Sequence, residues 1–222
     1  MRFIIEFDGP IVDVLPVFFT AHEVVAKRVG WSRLDQATFR RMTRAKDRGG
    51  EILPGAGDTK VADYWRRFDE EIESDSVVAT YEPHAGVAAI LAGLAEYGTC
   101  TLVTLGSNVA ARKSNLQRLE LVRFFRQVER LSEDARRRPG ELRMLAGGDE
   151  RTVVVAASDS LVRACGEADL FCVGLSCGAC GVSRLHQAGA SVVLKGVGEL
   201  LAELRAGCGE LIRAGLLPPP LG

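Results

Sequence analysis

The 222-residue chain reads as an α/β fold: a parallel sheet with helices on both faces, interrupted after its first strand by a small all-helical insert. Three observations predict this. Short apolar runs recur at Phe3–Phe7, Cys100–Leu105, Thr152–Ala157, Leu170–Leu175 and Ser191–Leu194, with helical periodicity between them. Their continuous, β-branched character suits strands covered on both faces. The stretch from Val14 to Tyr81 carries only helical patterning and stands outside the alternation.

Taken in order, the first strand ends in Glu6-Phe-Asp8-Gly9 and turns into a helix that Asp13 is placed to cap, closing at Gly30. Ser32, with Asp35 three residues on, opens a second helix to about Lys46. A Gly/Pro-rich loop from Asp47 leads to Asp58, which caps a third helix through about Glu73. Tyr81 to Gly98 is expected to be helical, followed by the strand ending at Thr104 and a helix opened by Ser107-Asn108. A short third strand follows Val128, and a helix runs from the Arg136-Arg137-Arg138-Pro139 segment to Ala146. Helices at 164–168, 183–188 and 197–205 alternate with the last strands. The sequence thus divides into a core, residues 1–13 and 82–206, a helical cap, 14–81, and a C-terminal tail, 207–222, expected as an extra turn or two of helix and then a polyproline-like terminus.

Composition narrows the function classes. With 28 basic and 29 acidic residues the net charge is −1, so no global field draws the chain to nucleic acid or an anionic membrane. The 47% hydrophobic content supports a packed core. No apolar run approaches the ~18 residues of a membrane span, and Met1 leads straight into a strand, so a cytoplasmic, reducing location is expected. A chain of this size needs none of the disulfides its six cysteines could form. Cys177 and Cys180 have CxxC spacing, but a zinc site would need two of Cys172, His186 and Cys208 as well; thiols without metal are the simpler reading. The histidines have no metal-type spacing. The basic cluster Arg40, Arg41, Arg44, Lys46 and Arg48 is either an exposed helix face or the wall of an anion site, the former being the simpler.

The chemistry concentrates at the first strand's end. Glu6 and Asp8 lie two apart on an extended chain and point to one side, and Gly9 permits a sharp turn after them. That crevice is where open α/β sheets hold ligands.

This segment resembles the first motif of the haloacid dehalogenase superfamily: a hydrophobic strand, Asp-x-Asp-Gly and a helix. The position of the helical insert resembles the cap of the phosphoglycolate-phosphatase and β-phosphoglucomutase branch, and the match spans about residues 2 to 205. It implies a Rossmann-like core and magnesium-dependent phosphoryl transfer by a carboxylate nucleophile, an acid/base, a hydroxyl and a cation. Carried over position by position, Glu6 stands at the nucleophile and Asp8 at the acid/base. Thr104, with Leu105 and Gly106 after it, matches the phosphate-binding second motif. Arg138 stands where a lysine precedes proline, keeping the charge in a bulkier fork. Glu6, Asp8 and, from the fourth-motif loop, Asp159 are the metal-ligand candidates.

Two positions depart from the pattern. Glu6 carries its carboxylate on the order of 1 Å further out than aspartate, enough to cost ~100-fold in rate. In the fourth motif Ala156-Ala157 and Leu161 replace the acids, and Asp159 is two residues out of register. The expected function is therefore a hydrolase-fold protein, impaired or inactive toward phosphate esters, that binds a small phosphorylated ligand. The alternative is an active magnesium-dependent phosphatase on such a metabolite. The substitutions weigh against bound magnesium.

Overall fold

The computed structural model describes residues 1–46, 48–147 and 151–207. Six strands, β1 (Arg2–Glu6), β2 (Thr99–Thr104), β3 (Gln127–Arg130), β4 (Thr152–Ala156), β5 (Phe171–Leu175) and β6 (Val192–Leu194), form one sheet. Its order is β3-β2-β1-β4-β5-β6 and every pair is parallel. β1 is central, with Ile5 beside Leu102 on one flank and Val155 on the other. The order reverses at β1, so its carboxyl end opens on the crevice between the β1–β2 and β4–β5 connections, which leave toward opposite edges of the sheet.

Strand alternation sorts the core into two layers. Phe3, Ile5 and Phe7 face α5 (Val87–Ala95) and α10 (Val197–Ala206), packing with Leu91, Leu94, Leu200 and Leu204. Ile4, Val103 and Val154 face the other way, onto α7 (Arg138–Ala146), α8 (Asp159–Ala168) and α9 (Val182–Ala188) through Leu142, Leu161 and Leu185. The helix α6 (Val109–Arg118), capped by Asn108 Oδ1 on the amide of Ala111 at 3.1 Å, follows β2 as the sequence implies.

The insert has its own core. Helices α1 (Leu15–Arg28), α2 (Gln36–Ala45) and α3 (Asp58–Ile72) bury Val25, Phe39, Met42, Tyr64 and Phe68 around His22. The ring of His22 stacks on Phe39, its Nε2 accepts from the amide of Leu34 at 3.0 Å, and Nδ1 meets Tyr64 Oη at 2.7 Å. Burial pushes its pKa down to about 4, so it is a neutral packing residue. A short helix, α4 (Asp75–Val78), capped by Ser74, leads back to the sheet.

Boundaries differ from the sequence reading where capping decides them. Asp35, not Ser32, caps α2, its Oδ1 accepting from Thr38 N at 3.0 Å. Gly57 precedes α3, without a side-chain cap from Asp58. The helix expected from Tyr81 starts only at Val87. Pro83 pairs with Val12 in an antiparallel bridge, the amide of His84 donates to Ile11 O, and Gly86 takes φ +74°. The residue before a proline avoids helical backbone, and a left-handed glycine ends the extended run. Among the described residues no helix is long and apolar enough to cross a membrane. The tail from Cys208 and the start of the insert loop, Asp47, lie outside the described residues.

Candidate functional site at the strand tips

Glu6 ends β1, 2% exposed, and its carboxylate turns toward β4. Oε2 accepts from the amides of Ala157 at 2.7 Å and Ser158 at 3.0 Å, the first turn beyond β4. Burial raises its pKa to about 7, against the lowering pull of Ser158 and of the Ala157 amide, while Asp8 repels it further. The extra methylene of glutamate thus lets the carboxylate reach the loop where the fourth-motif acids are expected.

Ala157 fills that loop tightly. A Cβ added to Gly9 would lie 2.5 Å from the Ala157 methyl, and one added to Gly178 would lie 2.6 Å from it. Gly9 also has φ +106°, closed to side chains on conformational grounds as well. The methyl sits between two glycine backbones, and no longer side chain fits there without displacing them.

Asp8 turns the other way, toward β2. Its Oδ2 accepts from Thr104 Oγ1 at 3.4 Å and from Arg112 Nε at 3.2 Å, while Oδ1 is buried with no hydrogen-bond partner among the described residues. Burial raises the pKa of Asp8, outweighing the pull of Arg112, and Glu73 adds to the rise. Thr104 Oγ1 accepts from the amide of Gly106 at 3.0 Å, so the loop after β2 is bonded to its own hydroxyl. Leu105 packs against the α7–α9 layer of the core.

Arg112, on α6, is the residue that sequence reasoning missed. Its side chain is 3% exposed and lies across Gly106, where any Cβ would collide with the guanidinium. Beyond Asp8 it grips Glu73, Nη1 to Oε2 at 2.8 Å and Nη2 to Oε1 at 2.9 Å. Burial disfavours its charge, but Asp8 and Glu73 outweigh that and push its pKa up. Glu73, at the end of α3, also accepts from Ser107 Oγ at 3.1 Å and the amide of Asn108 at 2.9 Å. Burial would raise the Glu73 pKa, yet the hydrogen bond and charge of Arg112 leave it lowered. A carboxylate from the insert is therefore held by a hydroxyl, an amide at the start of α6 and a bidentate guanidinium, the donor set that binds a phosphate group. The available signal was Gly106, closing the second motif, with an arginine six residues on; nothing local marked Glu73.

The remaining candidates lie apart. Arg138 donates from Nε to Ser132 O at 2.7 Å and from Nη2 to Glu133 O at 3.1 Å, bracing the loop after β3. Asp159, 7% exposed at the start of α8, meets Arg184 Nη2 at 2.5 Å and both Lys46 Nζ and Arg163 Nη2 at 3.4 Å. Burial raises its pKa, but these cations outweigh it and leave it lowered. Of the basic cluster in the insert, Arg41 pairs with Glu51 and Arg48 with Asp69, whereas Arg44 reaches Ser176 O and Lys46 reaches Asp159, both on the core. Cys177 Sγ lies 3.2 Å from Gly9 O and Cys180 Sγ 4.0 Å from Asp159. Among the described residues, no three His, Cys, Asp or Glu side chains gather in a metal-holding group.

No protein-family model and no curated protein matches the sequence. Solved structures do. A haloacid dehalogenase-like hydrolase from Streptococcus pneumoniae superposes with a TM-score of 0.70 at 13% identity, over 91% of this chain and 97% of that one. A predicted phosphoglycolate phosphatase from Haemophilus somnus gives 0.66 at 15%, over 91% and 97%. A candidate β-phosphoglucomutase from Thermotoga maritima gives 0.63 at 22%, over 92% and 98%. The shared architecture covers nine-tenths or more of each chain: this chain has the haloacid dehalogenase fold.

Proposed function

We propose that this chain is a haloacid dehalogenase-fold protein that does not turn over phosphate esters, its phosphoryl site being closed by its own side chains. The observation that carries this reading is the buried Arg112 fork between Asp8 and Glu73. In a working phosphoryl-transfer site, cations and amides face the place where substrate charge develops. Here the guanidinium, the Ser107 hydroxyl and the Asn108 amide face Glu73. Glu6, at the nucleophile position, is buried and hydrogen-bonded away from the crevice by two amides. The solved structures of the same fold described as phosphatases supply the class of ligand, a small phosphorylated metabolite, that this geometry gives up turning over.

Magnesium does not fit the residues present. It needs near-octahedral oxygen ligands about 2.1 Å away. Asp8 faces a guanidinium, Glu6 faces backbone N–H groups, and Asp159 is held among three cations, whose charge repels a divalent ion. One observation favours the second reading, a magnesium-dependent phosphatase: Asp8 Oδ1 is buried without a partner among the described residues, beside the Thr104 hydroxyl. Hydrolysis of p-nitrophenyl phosphate with 5–10 mM magnesium (a saturating range for ~mM sites) separates the two. The expected result is a rate indistinguishable from buffer; magnesium-dependent hydrolysis abolished by Glu6→Gln would establish the phosphatase.

A further inference from the structure

Between the insert and the core lies a cavity of about 230 Å³, room for roughly eight waters at ~30 Å³ each. It is separate from the strand-tip cluster: Glu6, Asp8, Thr104, Arg112 and Glu73 do not line it, and Ser158, whose amide holds Glu6, adjoins both. Its insert wall is apolar and aromatic, made by Phe18, Met42, Trp65, Phe68 and Ile72. Its core wall carries Arg184, Asp159 and Ser160, and Lys46, at the end of α2, reaches across from the insert to Asp159.

The charges lining the cavity do not balance. Among the described residues that line it, Asp159 is the single carboxylate facing both Lys46 and Arg184, so one positive charge remains over; Arg163, its third partner, lies outside the lining. Arg48 also borders the cavity but is matched by a bidentate pair with Asp69. Arg184 is only 16% exposed and uses one nitrogen on Asp159, leaving most of its fork for another acceptor. The Ser160 hydroxyl, in the first turn of α8, makes no hydrogen bond with the described residues.

Lys46 is the second, independent sign. It terminates α2 in the left-handed conformation, φ +55°, where glycine or asparagine is usual. A lysine there strains the backbone and places its ammonium at the cavity.

We propose that this cavity binds a small organic anion, a carboxylate or a phosphate monoester carrying a compact aromatic or branched apolar group. The anionic end lies between Lys46 and Arg184 above the first turn of α8, and the apolar body lies against Trp65 and Phe68. A surplus positive charge in a partly enclosed site attracts an anion more strongly than the same charge in water, and an aromatic wall selects an apolar body over a hydrated ion.

Calorimetric titration of the full chain tests this with phenyl phosphate, phenylacetate, inorganic phosphate and benzyl alcohol. The expected result is binding of one or both aryl anions at least tenfold tighter than either control, the ratio between them showing which headgroup is preferred. Arg184→Met should lower that affinity at least tenfold. Lys46→Gly should lower it severalfold while the melting temperature holds or rises, because glycine relieves the backbone; a merely structural lysine would change neither affinity nor its salt dependence. Equal binding of benzyl alcohol, absence of binding by both anions, or undiminished affinity in Arg184→Met and Lys46→Gly would overturn the proposal. Loss of affinity in Thr104→Val instead would also overturn it, by placing the anion at the strand tips. Phosphate release from phenyl phosphate bears on turnover alone, so the two readings fail separately.

Discussion

Two regions of the same crevice treat charge in opposite ways. At the strand tips each charged group already has its counterpart: Glu6 meets backbone amides, Asp8 meets Arg112, and Arg112 meets Glu73. Across Ser158, three cations share Asp159 beside open space. The difference teaches that a fold's usual reaction site can be self-satisfied while binding capacity lies beside it. Reactivity depends on groups held unsatisfied and facing a substrate, and the fold alone does not provide that.

The largest expected break in this comparison comes from Arg112→Met. It leaves Asp8 and Glu73 without their shared cation, each less than a quarter exposed, and should cost about 3–5 kcal/mol in urea unfolding. A loss near zero would mean that the buried fork does not hold the insert to the core.

Next comes pH. Glu6 is raised from 4.5 to about 7, so the fold favours its neutral form; that stability is fully present below pH 4.5 and is lost as pH rises through about 7, by up to about 3 kcal/mol. His22, lowered to about 4, has the opposite sign in an overlapping window: its contribution is present above pH 6.5 and lost as pH falls toward 4. Wild type minus Glu6→Gln isolates the first. The two should be equally stable near pH 4.5 and the Gln variant the more stable at pH 8, measured by denaturant titration at each pH. Parallel curves would mean that Glu6 is ionised without penalty.

A smaller effect sharpens the comparison from the other side. Ala157→Asp forces a carboxylate between Gly9 and Gly178 and should cost about 1–3 kcal/mol through overpacking, more if the charge stays unpaired. The double variant Glu6→Asp/Ala157→Asp, which restores two acids of the phosphatase pattern and leaves Leu161 at the third, should consequently gain no p-nitrophenyl phosphate hydrolysis. Gain of activity would show that the loop opens to admit the side chain.

How much of this was legible in the sequence follows from range of interaction. β1 could be read because Phe3-Ile4-Ile5 is apolar on both faces, and the sheet followed from alternation. Asp8 and Thr104 could be placed because each sits at a strand end, and the structure brings them within 3.4 Å. Arg112 could not be picked out: it is one cation in the helix Val109–Arg118, and its burial depends on Gly106 and on Glu73, 39 residues earlier in another layer. The rotation of Glu6 away from Asp8 was hidden for a related reason. Strand pairing sets where its Cα points, whereas the amides of Ala157 and Ser158, 151 and 152 residues on, set where its carboxylate ends. Helix starts were misplaced where a cap residue competed locally, as Asp35 did with Ser32.

The central claim, that the strand tips hold their own cation in place of a divalent one, is tested most directly by titrating the protein with Mn²⁺ and following the free ion by electron paramagnetic resonance. The prediction is no stoichiometric binding up to about 1 mM, near the weak end of protein sites for hard divalent cations. One ion bound per chain, and lost in Asp8→Asn, would contradict it.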